Sequence, residues 1–276
     1  MTDKTNANPV VLVAQGPALL QLYADGVAHI RLNRPDASNG LNMELLKALH
    51  EVVMQVHGDG RVRAVLLTGE GKNFCAGGDV HTFLSKGEAL PDYIRMATSY
   101  LQMVASLFMR LNAPVVTAVQ GFAAGGGGMG LVCCSDLVVA GESSKFLTGA
   151  TRVAMVPDAG VSVTLTQLVG LRKAMEILLL NPVISAAQAL DMGLINRVVP
   201  DDRIVDEALS LARHLAAGAP AALAATKRLV WNGIGQSVES AMPEENSTQA
   251  QLSGMKDALE GLAAVIEKRP PKFTGR

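Results

Sequence analysis

Hydrophobic and polar positions change rhythm twice along this chain. Near the start, two short apolar runs, Ala18–Tyr23 and Val27–Leu32, flank Asp25-Gly26, a two-residue signal for a β-hairpin. The polar stretch NRPDASNG then turns the chain, and Asn42 stands where a helix N-cap belongs. Apolar residues recur at helical spacing from there to about His57. Ala64–Thr68 and Val115–Val119 read as short buried strands. Each runs into a glycine-containing loop, Gly69–Asp79 and Gly121–Gly130, and each loop leads into a helical stretch. The strand Leu137–Ala140 comes next. Lys145–Pro157 reads as a third strand-like passage, with Asp158 placed to cap a helix beginning near Gly160. From Ser185 onward nearly every signal is helical: SAAQALDMG, DDRIVDEALSLARHLAAG, PAALAATKRLVWNG and the long SVESAMPEENSTQAQLSGMKDALEGLAAVIEKR.

This pattern divides the chain into a flexible tail over 1–17, an α/β core of strand–loop–helix units over 18–200, and a helical region over 201–276. Composition narrows the function classes. Hydrophobic residues make up 49% and charged residues 18% of the 276, which fits a filled core and excludes a disordered chain. A formal net charge of −1 gives no electrostatic reason to expect nucleic acid or an anionic membrane as a partner. The most apolar run, Ala113 to Ala140, is broken by Gln120, the glycines and Asp136, so it reads as strand, loop and buried helix rather than a membrane span. Three cysteines, two of them adjacent at 133 and 134, make neither a disulfide framework nor a spaced metal pair. A cytoplasmic protein without a metal site is the expectation, and MTDKTNANPV carries no secretory pattern.

Residues 121 to 130, GFAAGGGGMG, hold the candidate chemistry. Gly125, Gly127 and Gly130 satisfy G-x-G-x-x-G, yet the acid that should close the next strand is misplaced: Asp136 precedes that strand and Glu142 follows Gly130 by only twelve residues. A dinucleotide site is therefore disfavoured. Glycines that merely let a helix pack on a strand would be the plain structural alternative. The two glycine loops taken together suggest more. Both follow a buried strand and open a helix, so their free N–H groups could converge on one oxygen. That arrangement is an oxyanion hole, in which the main chain is the catalyst and glycine lets the substrate approach it.

The segments LNRPDASNGLN, GKNFCAGGD, VQGFAAGGGGMGLVCCSDLVVA and KFLTGATRVAMVPDAG, with the ending EKRPPKFTGR, resemble the crotonase superfamily, the enoyl-CoA hydratase/isomerase family. The likeness runs from about Leu19 to Arg276. It implies a spiral of repeated ββα units with a C-terminal helical trimerisation region, assembled as a homotrimer or as a hexamer of two trimers. It implies an acyl-CoA thioester as substrate, with coenzyme A present only as part of it and no tightly bound cofactor. By motif position the first oxyanion donor is Gly78. Counting forward from Gly121 puts the second at Gly126; counting back from Asp136 puts it at Gly127, and Gly126 is favoured. Contacts to coenzyme A would come from Arg34, Ala37, Ala76, Gly78 and His81, and from Lys272, Phe273 and Arg276 in a tail that closes over the adenine end, from this or another subunit.

Departures from the family pattern matter for the reaction. Hydratases of the family carry a glutamate at the end of the second glycine loop and another shortly after the position of Phe146; here those places hold Met129 or Gly130, and Ala150. One acid remains, Asp158, at a position resembling the base of dienoyl-CoA isomerases and of ring-expanding epoxyacyl-CoA isomerases, which share the FTG-basic ending. The expectation is double-bond isomerisation through an enolate, with Asp158 as proton shuttle. Water addition and non-catalytic acyl-CoA binding are the alternatives, and a helix cap is the structural alternative for Asp158. Plainer readings also stand for the rest: Asp79 caps a helix at Val80, Arg34 and His81 are solvated, the basic tail is frayed, Cys133 and Cys134 pack, Cys75 lacks a nearby histidine, and Met96, Met103 and Met109 line one helix face.

Overall fold

The computed structural model describes residues 8–276. Its hairpin forms where Asp25-Gly26 predicts it: β2 (Ala18–Leu22) pairs antiparallel with β3 (Val27–Leu32), and Gly26 turns the chain at φ +88°. An edge strand, β1 (Val10–Val13), lies antiparallel on β2. This corrects the expectation of a loose tail over 1–17 for the part that is described. The cause is β2, whose open edge offers backbone partners to any adjacent extended run.

From β3 the chain winds a spiral. α1 (Met43–Gly58) is capped by the Asn42 side chain on Leu45 N–H and leads to β4 (Ala64–Gly69), parallel to β3. α2 (Val80–Leu84) and α3 (Leu90–Arg110) lead to β5 (Val115–Val119). β6 (Phe122–Ala124), α4 (Gly125–Cys133), β7 (Leu137–Gly141) and β8 (Lys145–Leu147) make the next turn. α5 (Val161–Val169), α6 (Leu171–Leu180), β9 (Ile184–Ser185), α7 (Ala186–Asp191) and β10 (Arg197–Val199) close the spiral. The long strands assemble in the order β1-β2-β3-β4-β5-β7-β10, and the short ones form a second sheet, β6-β8-β9. From β5 onward each turn gives one strand to each sheet, whereas β2, β3 and β4 contribute to the large sheet alone. The strand-like reading of Lys145–Pro157 holds only for β8; beyond it the chain enters a 3₁₀ turn at Ala150–Val153 and an irregular passage.

Four helices follow: α8 (Ile204–Ala216), α9 (Pro220–Gly233), α10 (Val238–Ser253) and α11 (Lys256–Glu267). α8 covers the face of the large sheet opposite α1 and α3, packing Ile204, Ala208 and Ala212 on Val27, Leu66, Val116 and Val139. It belongs with the sheet, although a division at residue 200 sets it with the C-terminal helices. α9 is fastened to the core by a buried ion pair. Lys227 Nζ meets Asp136 Oδ2 at 2.7 Å and donates to Phe108 O (2.7 Å) and Ala113 O (3.2 Å).

Candidate active site

The second sheet brings the two glycine loops together. Cys75 bridges in parallel to Ala123: its N–H donates to Phe122 O (3.1 Å), and Ala124 N–H donates to Cys75 O (2.8 Å). The chain therefore leaves both strands side by side. Gly77 (φ +92°) and Gly125 (φ +63°) take left-handed conformations, and a Cβ on Gly77 would lie 2.7 Å from Ala124 O and 2.9 Å from Gly125 Cα. Backbone rests on backbone there, so neither position tolerates a side chain.

The free donors face this junction. Ala76 and Asp79 N–H groups go to Ser38 O (3.0 Å) and Leu41 O (3.1 Å), whereas the Gly78 N–H finds no acceptor among the described residues. α4 begins directly after Ala124, whose side chain makes no cap, so the N–H groups of its first turn, Gly126 and Gly127 included, lack helical partners. Gly126 is partly exposed; Gly127 is buried with Leu41 seated over its Cα. That difference favours Gly126 as the donor able to meet a ligand.

Asp158 completes the cluster. A Cβ on Gly126 would overlap the Asp158 carboxylate, so this glycine is what makes room for the acid. The Asp158 side chain is not the cap of α5. Gly160 is the N-cap residue, and it is the Asp158 carbonyl oxygen that accepts from Val161 N–H, at 3.0 Å. Ala154 (φ +57°) and Ala159 (φ +51°) hold the approach in left-handed conformations that cost alanine free energy, which turns the carboxylate toward α4 instead. Oδ1 is buried without a hydrogen-bond partner. Burial pushes this carboxyl above its ordinary value, offset in part by its own backbone N–H.

Of the other expected residues, one set is brought to the rim of this junction. The turn carrying Arg34 and Ala37 packs on the first glycine loop through Ser38 O and Ala76 N–H, and Ala37, Ala76 and His81 are exposed. Arg34 is neither free nor solvated: its guanidinium donates to Gly40 O and to Asp79 Oδ2, the latter at 3.1 Å. Asp79 caps α2 through Thr82 N–H (3.0 Å). Burial alone would raise the Asp79 carboxyl, but the Thr82 and Arg34 contacts hold it below its ordinary value. Lys272, Phe273 and Arg276 lie elsewhere in the chain. Lys272 N–H reaches Glu260, Phe273 lies beside Gly261, and Arg276 O accepts from Asp257 N–H. Asp257 in turn accepts from the N–H groups of Thr274 and Gly275 (2.7 Å each), so the tail is fastened to α11 rather than frayed.

Three further readings are settled by burial. Cys75 and Cys133 are fully buried, which pushes each thiol up to about 12 and leaves them inert packing groups. Met96 and Met103 are exposed on α3, whereas Met109 packs against the core, so the three do not share a face. The Lys227–Asp136 pair was missed; its one signal was a lysine inside the apolar stretch AATKRLVW. Among the described residues no group of three His, Cys, Asp or Glu is placed to hold a metal, and no helix is long and apolar enough to cross a membrane.

Comparison with known proteins bears on the fold and the family. A family model described as enoyl-CoA hydratase/isomerase matches residues 23–276. A "probable enoyl-CoA hydratase" of Rhodobacter capsulatus is 36% identical over 254 residues, covering 92% of this chain and 96% of its own. The 1,2-epoxyphenylacetyl-CoA isomerase of Escherichia coli is 33% identical over 259 residues, covering 94% and 98%. The crystal structure of an enoyl-CoA hydratase from Mycobacterium smegmatis superposes with a TM-score of 0.87 at 33% identity, covering 94% of this chain and 99% of that one. With its spiral of paired strands and its two abutting glycine loops, the chain belongs to the enoyl-CoA hydratase/isomerase family of acyl-CoA enzymes.

Proposed function

We propose that this enzyme moves a carbon–carbon double bond along an enoyl-CoA. The carrying observation is Asp158: a carboxylate without a hydrogen-bond partner on Oδ1, seated on Gly126 beside the free N–H groups of Gly78 and α4. In a 3-enoyl thioester, Asp158 takes a proton from C2, and the electron pair flows onto the thioester oxygen. The N–H groups of Gly78 and Gly126 stabilise that charge. The same carboxylic acid returns the proton to C4 as the enolate collapses, leaving the 2-enoyl thioester and a regenerated carboxylate. No atom is gained or lost, so one acid–base group suffices. Coenzyme A enters only as the handle of the substrate, held at the rim around Ala37, Ala76 and His81.

Water addition is the weaker reading. Relatives bearing the hydratase name motivate it, but Met129 is fully buried in the core and Ala150 offers no group to hold a water. The exposed apolar stripe of α11, with Leu259, Leu262, Val265 and Ile266, supports a homotrimer or hexamer, which sedimentation would establish or refute.

The test is to supply 3-enoyl-, 2-enoyl- and 2,4-dienoyl-CoA and to follow the conjugated thioester absorbance. Wild type is expected to convert the 3-enoyl substrate. Asp158→Asn should lower that turnover by roughly 10²–10⁴ with acyl-CoA binding kept. The base must be ionised, so kcat/KM should rise with pH through a value above the ordinary 3.8 of aspartate. An Asp158→Asn variant as fast as wild type would overturn the reading. Hydration of the 2-enoyl substrate without isomerisation would replace it with the second.

A further inference from the structure

One side of Gly78 is occupied by an aromatic ring. A Cβ on Gly78 would lie 2.6 Å from Phe83 Cε2 and nearer still to Cζ, so the tip of the Phe83 ring rests on the Gly78 α-carbon. Phe83 reaches this place because α2 is short and capped by Asp79, and Phe83 N–H closes the first turn on Asp79 O (2.9 Å). The ring cannot withdraw toward α3. Tyr93 stands edge-on behind it with centroids 5.9 Å apart, the Tyr93 hydroxyl accepts from Met43 N–H (3.1 Å), and Lys86 Nζ covers the Tyr93 ring at 4.9 Å. This is an aromatic wall braced from α1 and α3.

We propose that Phe83 sets the width of the acyl pocket beside the thioester carbonyl, and that it selects unbranched over 2-branched acyl groups. The proposal rests on the reading of Gly78 as a donor to that carbonyl oxygen. A carbonyl held at the Gly78 N–H puts its carbonyl carbon and C2 within a few ångströms of the Gly78 α-carbon, where the ring tip already fills the space. The wall faces the acyl side rather than the coenzyme side because Phe83 and Leu84 make the C-terminal end of α2 apolar. Leu84, next to the ring, is 82% exposed, whereas Asp79 with its partner Arg34, and His81, lie toward the N-terminal end of the helix. A substituent at C2 would have to displace a ring that Tyr93 holds in place. A single methyl group refused by a close-fitting apolar wall is worth about 10–200-fold.

Saturated thioesters test the wall without any double bond to move, so the outcome is independent of whether isomerisation is the reaction. Binding of butanoyl-CoA and of 2-methylbutanoyl-CoA is measured calorimetrically on wild type, Phe83→Ala and Phe83→Leu. Wild type is expected to prefer the straight chain at least about tenfold, Phe83→Ala to shrink that ratio below about threefold, and Phe83→Leu to fall between. Should the alanine variant not fold, the leucine variant decides. An unchanged ratio in folded variants, or a wild type indifferent to the branch, would overturn the assignment of Phe83 alone. A wild type that binds neither thioester would overturn the underlying acyl-CoA site as well.

Discussion

Asp79 and Asp158 both stand just ahead of a helix and beside the paired glycine loops, yet their surroundings drive them in opposite directions. Asp79 gives one oxygen to the Thr82 N–H and the other to Arg34, and its carboxyl is held below the ordinary value. Asp158 turns away from the helix it precedes, leaves Oδ1 unpartnered against Gly126, and is pushed above the ordinary value by burial. A carboxylate whose lone pairs are filled is a structural part; one that is partly desolvated and unfilled can take up a proton. Burial by itself does not separate the two classes. Asp136 is partly buried as well, but its oxygens are taken by Lys227, Val115 N–H (2.7 Å) and Trp231 Nε1 (3.0 Å).

The largest expected effect comes from stripping Asp136 of its cation. Lys227→Met removes a buried ammonium and leaves a partly buried carboxylate without its counter-charge, and chemical unfolding should register a loss of about 3 kcal/mol, the lower end of the range for breaking a buried pair. A loss below about 1 kcal/mol would mean that partners matter less than the comparison requires. Next comes Gly126→Ala. Glycine to alanine inside a helix ordinarily stabilises by about 0.5–1 kcal/mol, but here the new methyl overlaps the Asp158 carboxylate. Turnover should fall by roughly 10²–10³, within the range for displacing a general acid–base group, while the fold survives. Combining it with Asp158→Ala should cost little further activity. Additive losses would show that the two positions act separately.

How much of this was legible in the sequence depends on how local the cause is. The hairpin at Asp25-Gly26, the Asn42 cap and the Asp79 cap were readable because each is decided within four residues. The pairing of the two glycine loops was readable as a pattern and was made specific by the family resemblance. The orientation of Asp158 was not. It depends on Ala154 and Ala159 adopting left-handed conformations that alanine alone disfavours; Ala154 ends the 3₁₀ turn, and Ala159 is buried against Gly130. β1 was missed because an isolated VVLV run has no visible partner until β2 is placed. The Lys227–Asp136 pair joins positions far apart in sequence, and no spacing rule links them.

A smaller effect tests the satisfied member. Asp79→Ala removes the cap of α2 and the partner of Arg34, and should lower unfolding stability by about 1 kcal/mol. Turnover should be affected far less than in Asp158→Asn. If Asp79→Ala abolishes turnover while stability is unchanged, the roles of the two aspartates are exchanged.

The smallest effect is also the most discriminating, because it has a sign. Ionised Asp158 is disfavoured by the fold, so above its raised folded pKa it subtracts from stability, and below the unfolded value of 3.8 it subtracts nothing. Asp158→Asn should therefore be more stable than wild type at neutral pH, with the two unfolding curves converging as pH falls toward 3.8. Asp79 runs the other way. Its folded pKa is depressed, so its charge adds stability above 3.8 that is lost as pH falls through the lower folded value. Asn at 79 keeps a capping oxygen but loses the charge, so Asp79→Asn should be the less stable protein at neutral pH and should approach wild type only in stronger acid. Urea unfolding of the three proteins across that range measures both differences. Two differences of the same sign would mean that the orphaned oxygen at Asp158 is solvated in solution and that the contrast with Asp79 does not exist.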